Sequence, residues 1–180
     1  MLDIESTLEM ALAYAAHGWN VFPTYSAEDG VCNCWQGKAC EHPAKHPRTM
    51  NGFLDATTDP EKIREWWGMW PASNVAIRTG KESGIVVVDI DPGHGGMETV
   101  ESLSVKGKPL IRTAQVLTQN DGFHLYYAYP PGKAYIKSMN NALGPGIDLK
   151  ADKGYVIAPP SRGVNGPYVW QVAVVELAAL

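Results

Sequence analysis

The run GIVVVDIDPGHGG, residues 84–96, constrains this chain more than any other stretch. Four apolar residues, Ile85 to Val88, lead straight into Asp89 and Asp91 with only Ile90 between them. A β-branched run of this kind reads as a strand buried on both faces, and because strand side chains alternate, Asp89 and Asp91 project to the same side. Like charges side by side in a sheet are unfavourable unless a cation or a shared proton neutralises them. The segment therefore either ends a strand at the surface or builds a metal site.

The elements around it read as α+β. ESTLEMALAYAAHG carries Leu8, Leu12 and Ala15 at helical spacing, with Gly18 placed to stop the helix. WNVFPTY reads as a short strand. TTDPEKIREWWGMW opens with a Thr or Asp cap and Pro60 at the first helical position, so a second helix presents Ile63, Trp66, Trp67 and Trp70. At least two of those tryptophans belong to the core. NVAIRTG and GIVVVDID are strands, and GGMETVESL is a helix. TAQVLTQNDGFHLYYAY is a hairpin around Asn120, Asp121 and Gly122, and a turn at Asp152 to Gly154 joins GIDLKA to YVIAPPS. PYVWQ is a last strand, and VAVVELAAL begins a final helix. The order helix, strand, loop, helix, then mostly strands predicts mixed or antiparallel sheets with helices packed on them.

A chain of 180 residues, 45% hydrophobic, buries a substantial core and most simply makes one domain over residues 1–180. No stretch has the length of a membrane span, and MLDIESTLEM lacks the pattern of a signal peptide, so a cytoplasmic location without a membrane partner is expected. An apolar last turn suggests an excised domain of something longer. The net charge of −4 argues against a surface that is one large nucleic-acid footprint. It does not exclude a nucleotide substrate, because acids that hold divalent cations attract phosphate locally.

Two further clusters carry chemistry. Asp148, in GPGIDLKADKG, is a third carboxylate in a strand-like context, whereas Asp121 and Asp152 sit in turns where aspartate is simply favoured. His124 follows the hairpin turn, and alternation puts it with Tyr126 on one face and Phe123 with Leu125 on the other. The loop at residues 31–47 gathers Cys32, Cys34 and Cys40, which cannot all pair with one another, beside His42 and His46. Thiolate and imidazole ligands in fours suit Zn²⁺, and a closed site would order a loop that has no core of its own; the fourth ligand is His42 or His46.

Several segments in order carry a resemblance: KHP at 45–47, ATTDPEKIREWW, NVAIRTG, VVVDID, TQNDGFHLYY and GIDLKADKGYVIAPPS. Through most of its length the chain resembles the N-terminal primase/polymerase (prim-pol) domain of the archaeo-eukaryotic primase superfamily, as found in phage, plasmid and mobile-element replication proteins. The family's paired-acid motif falls on Asp89 and Asp91, its histidine on His124 and its third acid on Asp148.

The resemblance implies an RRM-like catalytic core with a zinc loop, and a DNA-dependent nucleotidyltransferase that makes or extends primers. Asp89, Asp91 and Asp148 would hold two Mg²⁺ or Mn²⁺ ions roughly 3.5–4 Å apart, the arrangement that activates a 3′-hydroxyl and stabilises a leaving pyrophosphate. His124 would contact the incoming nucleoside triphosphate, with Lys150, Arg78, Lys81, Ser161 and Arg162 as further nucleotide-binding candidates. The Lys-His-Pro that accompanies such loops in the family favours His46 as the fourth zinc ligand. Template DNA, a primer, and a helicase in the same full-length chain are the implied partners. The competing expectations are a metal-dependent phosphodiesterase or nuclease using the same acids, and a non-catalytic, zinc-stapled DNA-binding module that recruits a helicase.

Overall fold

The computed structural model describes residues 6–173, 178 and 179. Among these the elements run α1 (Thr7–Ala16), β1 (Val21–Thr24), β2 (Ala27–Glu28), β3 (Val31–Cys32), α2 (Pro60–Met69), β4 (Asn74–Arg78), β5 (Ile85–Ile90), α3 (Gly96–Val105), β6 (Ala114–Leu117), β7 (Phe123–Ala128), β8 (Met139–Gly144), β9 (Ile147–Lys150), β10 (Tyr155–Ala158), β11 (Val169–Val172) and β12 (Ala178–Ala179). This is an α+β chain of antiparallel sheets with few helices, divided into two compact units. The first comprises the residues up to Arg78 and Tyr155–Val169; the second comprises Thr79–Gly154 and the residues from Trp170 onward.

In the first unit, both helices start where their caps dictate. Ser6 accepts the Glu9 N–H at 3.2 Å while the Glu9 carboxylate accepts the Ser6 N–H at 2.9 Å, so each satisfies an orphan donor of the other. At the other end of α1, Gly18 takes the left-handed conformation that stops the helix (φ +90°). Asp59 caps α2 by accepting the Glu61 N–H at 2.9 Å, with Pro60 at the first helical position. The face of α1 formed by Ala11, Tyr14 and Ala15 is buried, as are Ile63, Trp66 and Trp67 of α2, whereas Trp70 is only partly so. Two of the three helix tryptophans are thus core residues, and the Trp67 indole donates to Thr7 Oγ1 at 2.9 Å.

Behind these helices lies a three-stranded antiparallel sheet in the order β1-β4-β10. Asn74, buried at the start of the central strand β4, ties two loops to the end of that strand. Its amide donates to the carbonyls of Arg162 (2.7 Å) and Ala44 (3.2 Å), and its Oδ1 accepts the Arg162 N–H at 3.0 Å. Ala44 belongs to the cysteine loop, so an otherwise coreless segment is anchored by satisfied buried polar groups.

The second unit holds a larger sheet in the order β11-β6-β7-β5-β9-β8, with β12 running parallel to β7. Strand β5 sits inside it, paired antiparallel to β7 on one side and β9 on the other. One face packs Val86, Val88, Ile90, Leu125, Tyr127, Ile147 and Ala151 into a core that Val100 and Leu103 of α3 cover. Each fully buried Val or Ile among them stabilises the fold by about 1.5–3 kcal/mol. Burial extends to the other face as well, where Val87 and Tyr126 are completely enclosed, as expected for a β-branched run without polar alternation.

The expected β6–β7 hairpin forms, with Leu117 opposite Phe123, the Thr118 N–H bonded to the Gly122 carbonyl, and Asp121 at φ +58°. The turn after β9 does more than reverse the chain. Asp152 is buried, its Oδ1 accepting the Lys81 N–H (3.0 Å) and its Oδ2 accepting both the Tyr129 hydroxyl (2.7 Å) and the Ile136 N–H (2.5 Å).

The expected C-terminal helix is corrected at its described residues. Val172 ends β11, and Ala178–Ala179 pair with Tyr127 and Ala128; residues 174–177 and 180 lie outside the described residues. Ala178 and Ala179 join an open stretch of β7, where sheet pairing overrides helix propensity. Among the described residues, no helix is long and apolar enough to cross a membrane.

Candidate functional site

The register of the larger sheet brings the sequence's scattered acids together. Asp89 lies opposite His124 across the β5–β7 ladder and opposite Asp148 across the β5–β9 ladder. Directly opposed residues share a face, so His124, Asp89 and Asp148 form one transverse row across three adjacent strands. Asp91 follows one residue past the end of β5, on the same alternation as Asp89. Asp89, Asp91 and Asp148 line a single cleft of about 440 Å³ with His94, Asn140, Asn141, Pro145 and Gly146.

Each acid has a basic neighbour. His124 Nε2 stands 3.6 Å from Asp89 Oδ1, an electrostatic contact longer than a hydrogen bond, and its ring is almost fully buried. His94 Nδ1 is 2.7 Å from Asp91 Oδ2, and Lys150 Nζ is 2.8 Å from Asp148 Oδ2. Burial pushes the Asp148 carboxyl upward, but the Lys150 bond, the Asn141 N–H at 2.9 Å on its other oxygen, and the charges of Lys150 and His94 outweigh it. The group is held below the ordinary aspartate range and is ionised at neutral pH. Of the three acids, Asp148 faces the Lys150 ammonium, while Asp89 and Asp91 each face an imidazole.

The remaining nucleotide-binding candidates fall elsewhere. Lys81 is exposed, with its backbone N–H on Asp152. Arg78, Ser161 and Arg162 belong to the first unit. Arg78 lies over the Phe53 ring at 5.6 Å, and the Arg162 side chain is exposed beside Glu28, Asp29 and Gly30. Ser161 is completely buried, its Oγ accepting the Val75 N–H (2.9 Å) and donating to the Val75 carbonyl (3.2 Å). That hydroxyl ties the loop after β10 to β4, so its bonding capacity is spent on the fold.

His94, Asn141 and Gly146 are site residues that the sequence reading does not single out. His94 had a visible signal, being three residues beyond Asp91 within a Gly-rich turn. Asn141 had none: β8 is an exposed edge strand with a register shift between Met139 and Gly144, and it contributes a backbone N–H.

In the first unit, Cys32, Cys34, Cys40 and His46 form a cluster whose ligand atoms all lie within 4.8 Å of one another. His46 Nε2 is 3.5 Å from both Cys32 Sγ and Cys40 Sγ. A tetrahedral ion with Zn–S near 2.3 Å and Zn–N near 2.0–2.1 Å sets its sulfur and nitrogen ligands about 3.5 Å apart, so the spacing fits a metal. His42, the competing ligand, stands outside this cluster and is exposed.

The choice of His46 has a structural cause. Its ring stacks on Tyr25 (centroids 4.4 Å apart), and the Tyr25 N–H bonds its carbonyl at 3.0 Å. Burial, followed by the nearby charges of His42 and Arg48, lowers its pKa, which favours the neutral ring that ligation requires. Burial likewise pushes the Cys40 thiol up to about 11 in the absence of a cation. At Cys34, burial works in the same direction but is outweighed by the N–H groups of Gln36 and Gly37 and by the other two sulfurs, so this thiol lies below its ordinary value.

Among the described residues, this cluster is the group whose ligand atoms close to single-ion spacing; the three acids flank their cleft more widely.

The larger sheet thus gathers three carboxylates, two histidines and a lysine around one cleft. The chain belongs to the bifunctional DNA primase/polymerase N-terminal domain family, whose profile matches residues 11–180. No curated protein matches the chain. The family assigns it a function of the DNA primase/polymerase type, with nucleotides and DNA as substrates, and enzymes of this family depend on metal ions.

Proposed function

We propose that this chain is a DNA-dependent nucleotidyltransferase that adds nucleotides to a 3′-hydroxyl, serving phage or plasmid replication, and that the cleft of the larger sheet is its active site. The observation that carries this reading is the transverse row His124–Asp89–Asp148, with Asp91 beside it in one cleft. Three carboxylates give hard oxygen donors, which suit Mg²⁺ or Mn²⁺. Asp89, Asp91 and Asp148 would hold two such ions. When bound, the ions supply charge stabilisation for the attacking and leaving oxygens.

The chain's own groups do the rest. Asp89 and Asp148 are held rigid by ladders on both sides of β5, so their oxygens keep one geometry as negative charge arrives. His124, packed at the buried end of the row, would donate to the triphosphate. Lys150 has its ammonium next to Asp148 and would move to phosphate once a cation takes its place. The core would be of the RRM-like type. The Cys32–Cys34–Cys40–His46 cluster would hold a structural Zn²⁺ that orders the loop. A helicase in the same replication protein would supply the unwound template.

A primed template with dNTPs and Mn²⁺ tests the reading. Template-dependent extension is expected, falling more than about 100-fold in Asp89→Asn and Asp148→Asn, since even outer-shell changes at metal sites cost about 10–100-fold. DNA cleavage without nucleotide use would favour a nuclease. DNA binding with neither activity would leave a non-catalytic module.

A further inference from the structure

Asp91 is positioned differently from the other two acids. Asp89 and Asp148 lie inside hydrogen-bonded ladders, whereas Asp91 is one residue beyond the end of β5 and is the most exposed of the three, its side chain 46% accessible against 29% and 28%. Outside a ladder, a carboxylate needs another device to hold its direction.

The loop Pro92–Gly96 supplies one in two stages. The Asp91 backbone is fixed first: its N–H bonds the Gly146 carbonyl at 2.8 Å, and its own carbonyl accepts from Gly96 N–H at 2.9 Å and His94 N–H at 3.2 Å. The packing there is so close that a Cβ on Gly96 would stand 2.6 Å from the Asp91 carbonyl oxygen and 2.8 Å from that of Gly146. The carboxylate is fixed second. Oδ1 accepts the Gly93 N–H at 2.9 Å, and Oδ2 meets His94 Nδ1 at 2.7 Å. An ionised carboxylate has about four acceptor sites, so these two bonds set the plane of the group and leave one site per oxygen for a cation.

We propose that His94 is the positioning residue of the cation site: with its proton on Nδ1 it donates to Asp91 Oδ2 and holds the carboxylate with its free lone pairs toward the cleft. This inference rests on the reading of that cleft as a divalent-cation site. The His94 side chain is 79% accessible and lies outside the core and the ladders, so its loss leaves both in place. It acts through Asp91 and not on the substrate.

Titration of the purified chain with Mn²⁺ alone, followed by the loss of the free-ion electron paramagnetic resonance signal, tests this without any turnover. His94→Ala is expected to weaken Mn²⁺ binding by about tenfold or more, the usual effect of removing an outer-shell partner of a ligand. His94→Asn, whose side-chain amide can take the place of Nδ1–H, is expected to recover most of that loss, and both variants are expected to melt with the wild type. Asp91→Asn should abolish the same binding, and His42→Ala should not alter it. Wild-type Mn²⁺ affinity in His94→Ala, with Asp91→Asn still defective, would overturn the inference and leave the cation site standing. Wild-type affinity in Asp89→Asn, Asp91→Asn and Asp148→Asn together would remove the cation site, and the inference with it.

Discussion

Asp152→Asn isolates the most heavily used carboxylate outside the cleft. The wild-type group is 7% exposed and accepts three hydrogen bonds, from Lys81 N–H, Tyr129 O–H and Ile136 N–H. Burial, with the Asp152 carboxylate next, pushes the Tyr129 phenol up to about 12, so that hydroxyl remains a donor at neutral pH. An asparagine offers one oxygen and one NH₂. In one orientation the NH₂ faces the Lys81 N–H; in the other it faces the Ile136 N–H. Either way a backbone donor loses its acceptor, at about 1–3 kcal/mol, and the bonds that survive lose the strength that a charged acceptor gives. A loss of about 2–4 kcal/mol follows, which at roughly 3 °C per kcal/mol for a chain of this size lowers the melting temperature by about 6–12 °C.

The dependence on pH identifies the cause. At Asp152, burial raises the pKa, but the Ile136 and Lys81 N–H groups, the Tyr129 hydroxyl and the Lys81 charge outweigh it, and the net shift is downward. A depressed carboxyl pKa means that the unfolded chain binds the proton more readily. The stabilisation is therefore complete above the unfolded value of about 3.9 and is lost as pH falls through the lower folded value. Thermal melts followed by circular dichroism should show a wide gap between wild type and variant at pH 7 that narrows below pH ~4. A variant that melts with the wild type at pH 7, or a gap that stays constant into acid, would refute the reasoning.

Two further expectations concern the other sites. In metal analysis of purified protein, the wild type and His42→Ala should each carry about one zinc per chain, while His46→Ala and Cys40→Ser should carry much less, because a structural site needs all four ligands. Gly96→Ala should reduce primer extension by about 100-fold while the sheet stays folded, since the added methyl meets only backbone and must push the Asp91 loop aside; wild-type activity would contradict the close approach described above.

What the sequence revealed about the cleft was local. Alternation along VVVDID was enough to put Asp89 and Asp91 on one side, and alternation along FHLYY was enough to set His124 apart from Phe123 and Leu125. The register that sets Asp148 opposite Asp89 is a long-range pairing, and here the family resemblance, not the periodicity, pointed to the third acid. Strand β8 escaped because MNNALG is largely exposed, lacks apolar alternation and carries Asn141 at φ +52°. Asp152 looked like an ordinary turn residue because its three donors come from Lys81, Tyr129 and Ile136, at separations no local pattern records. Spacing alone left His42 and His46 equivalent; stacking on Tyr25, from the far side of the cysteine loop, separates them in space.

Arg78 and Tyr155, the last residue of β4 and the first of β10, are register partners. The polypeptide thus departs from the three-stranded sheet and rejoins it at a single rung, and residues 79–154 are one excursion spliced between two adjacent strands. Because the entropy of closing a flexible loop grows only with the logarithm of its length, lengthening or trimming such an excursion burdens the host sheet very little. The excursion does not carry the whole larger sheet, because β11 and β12 reach it from residues beyond β10.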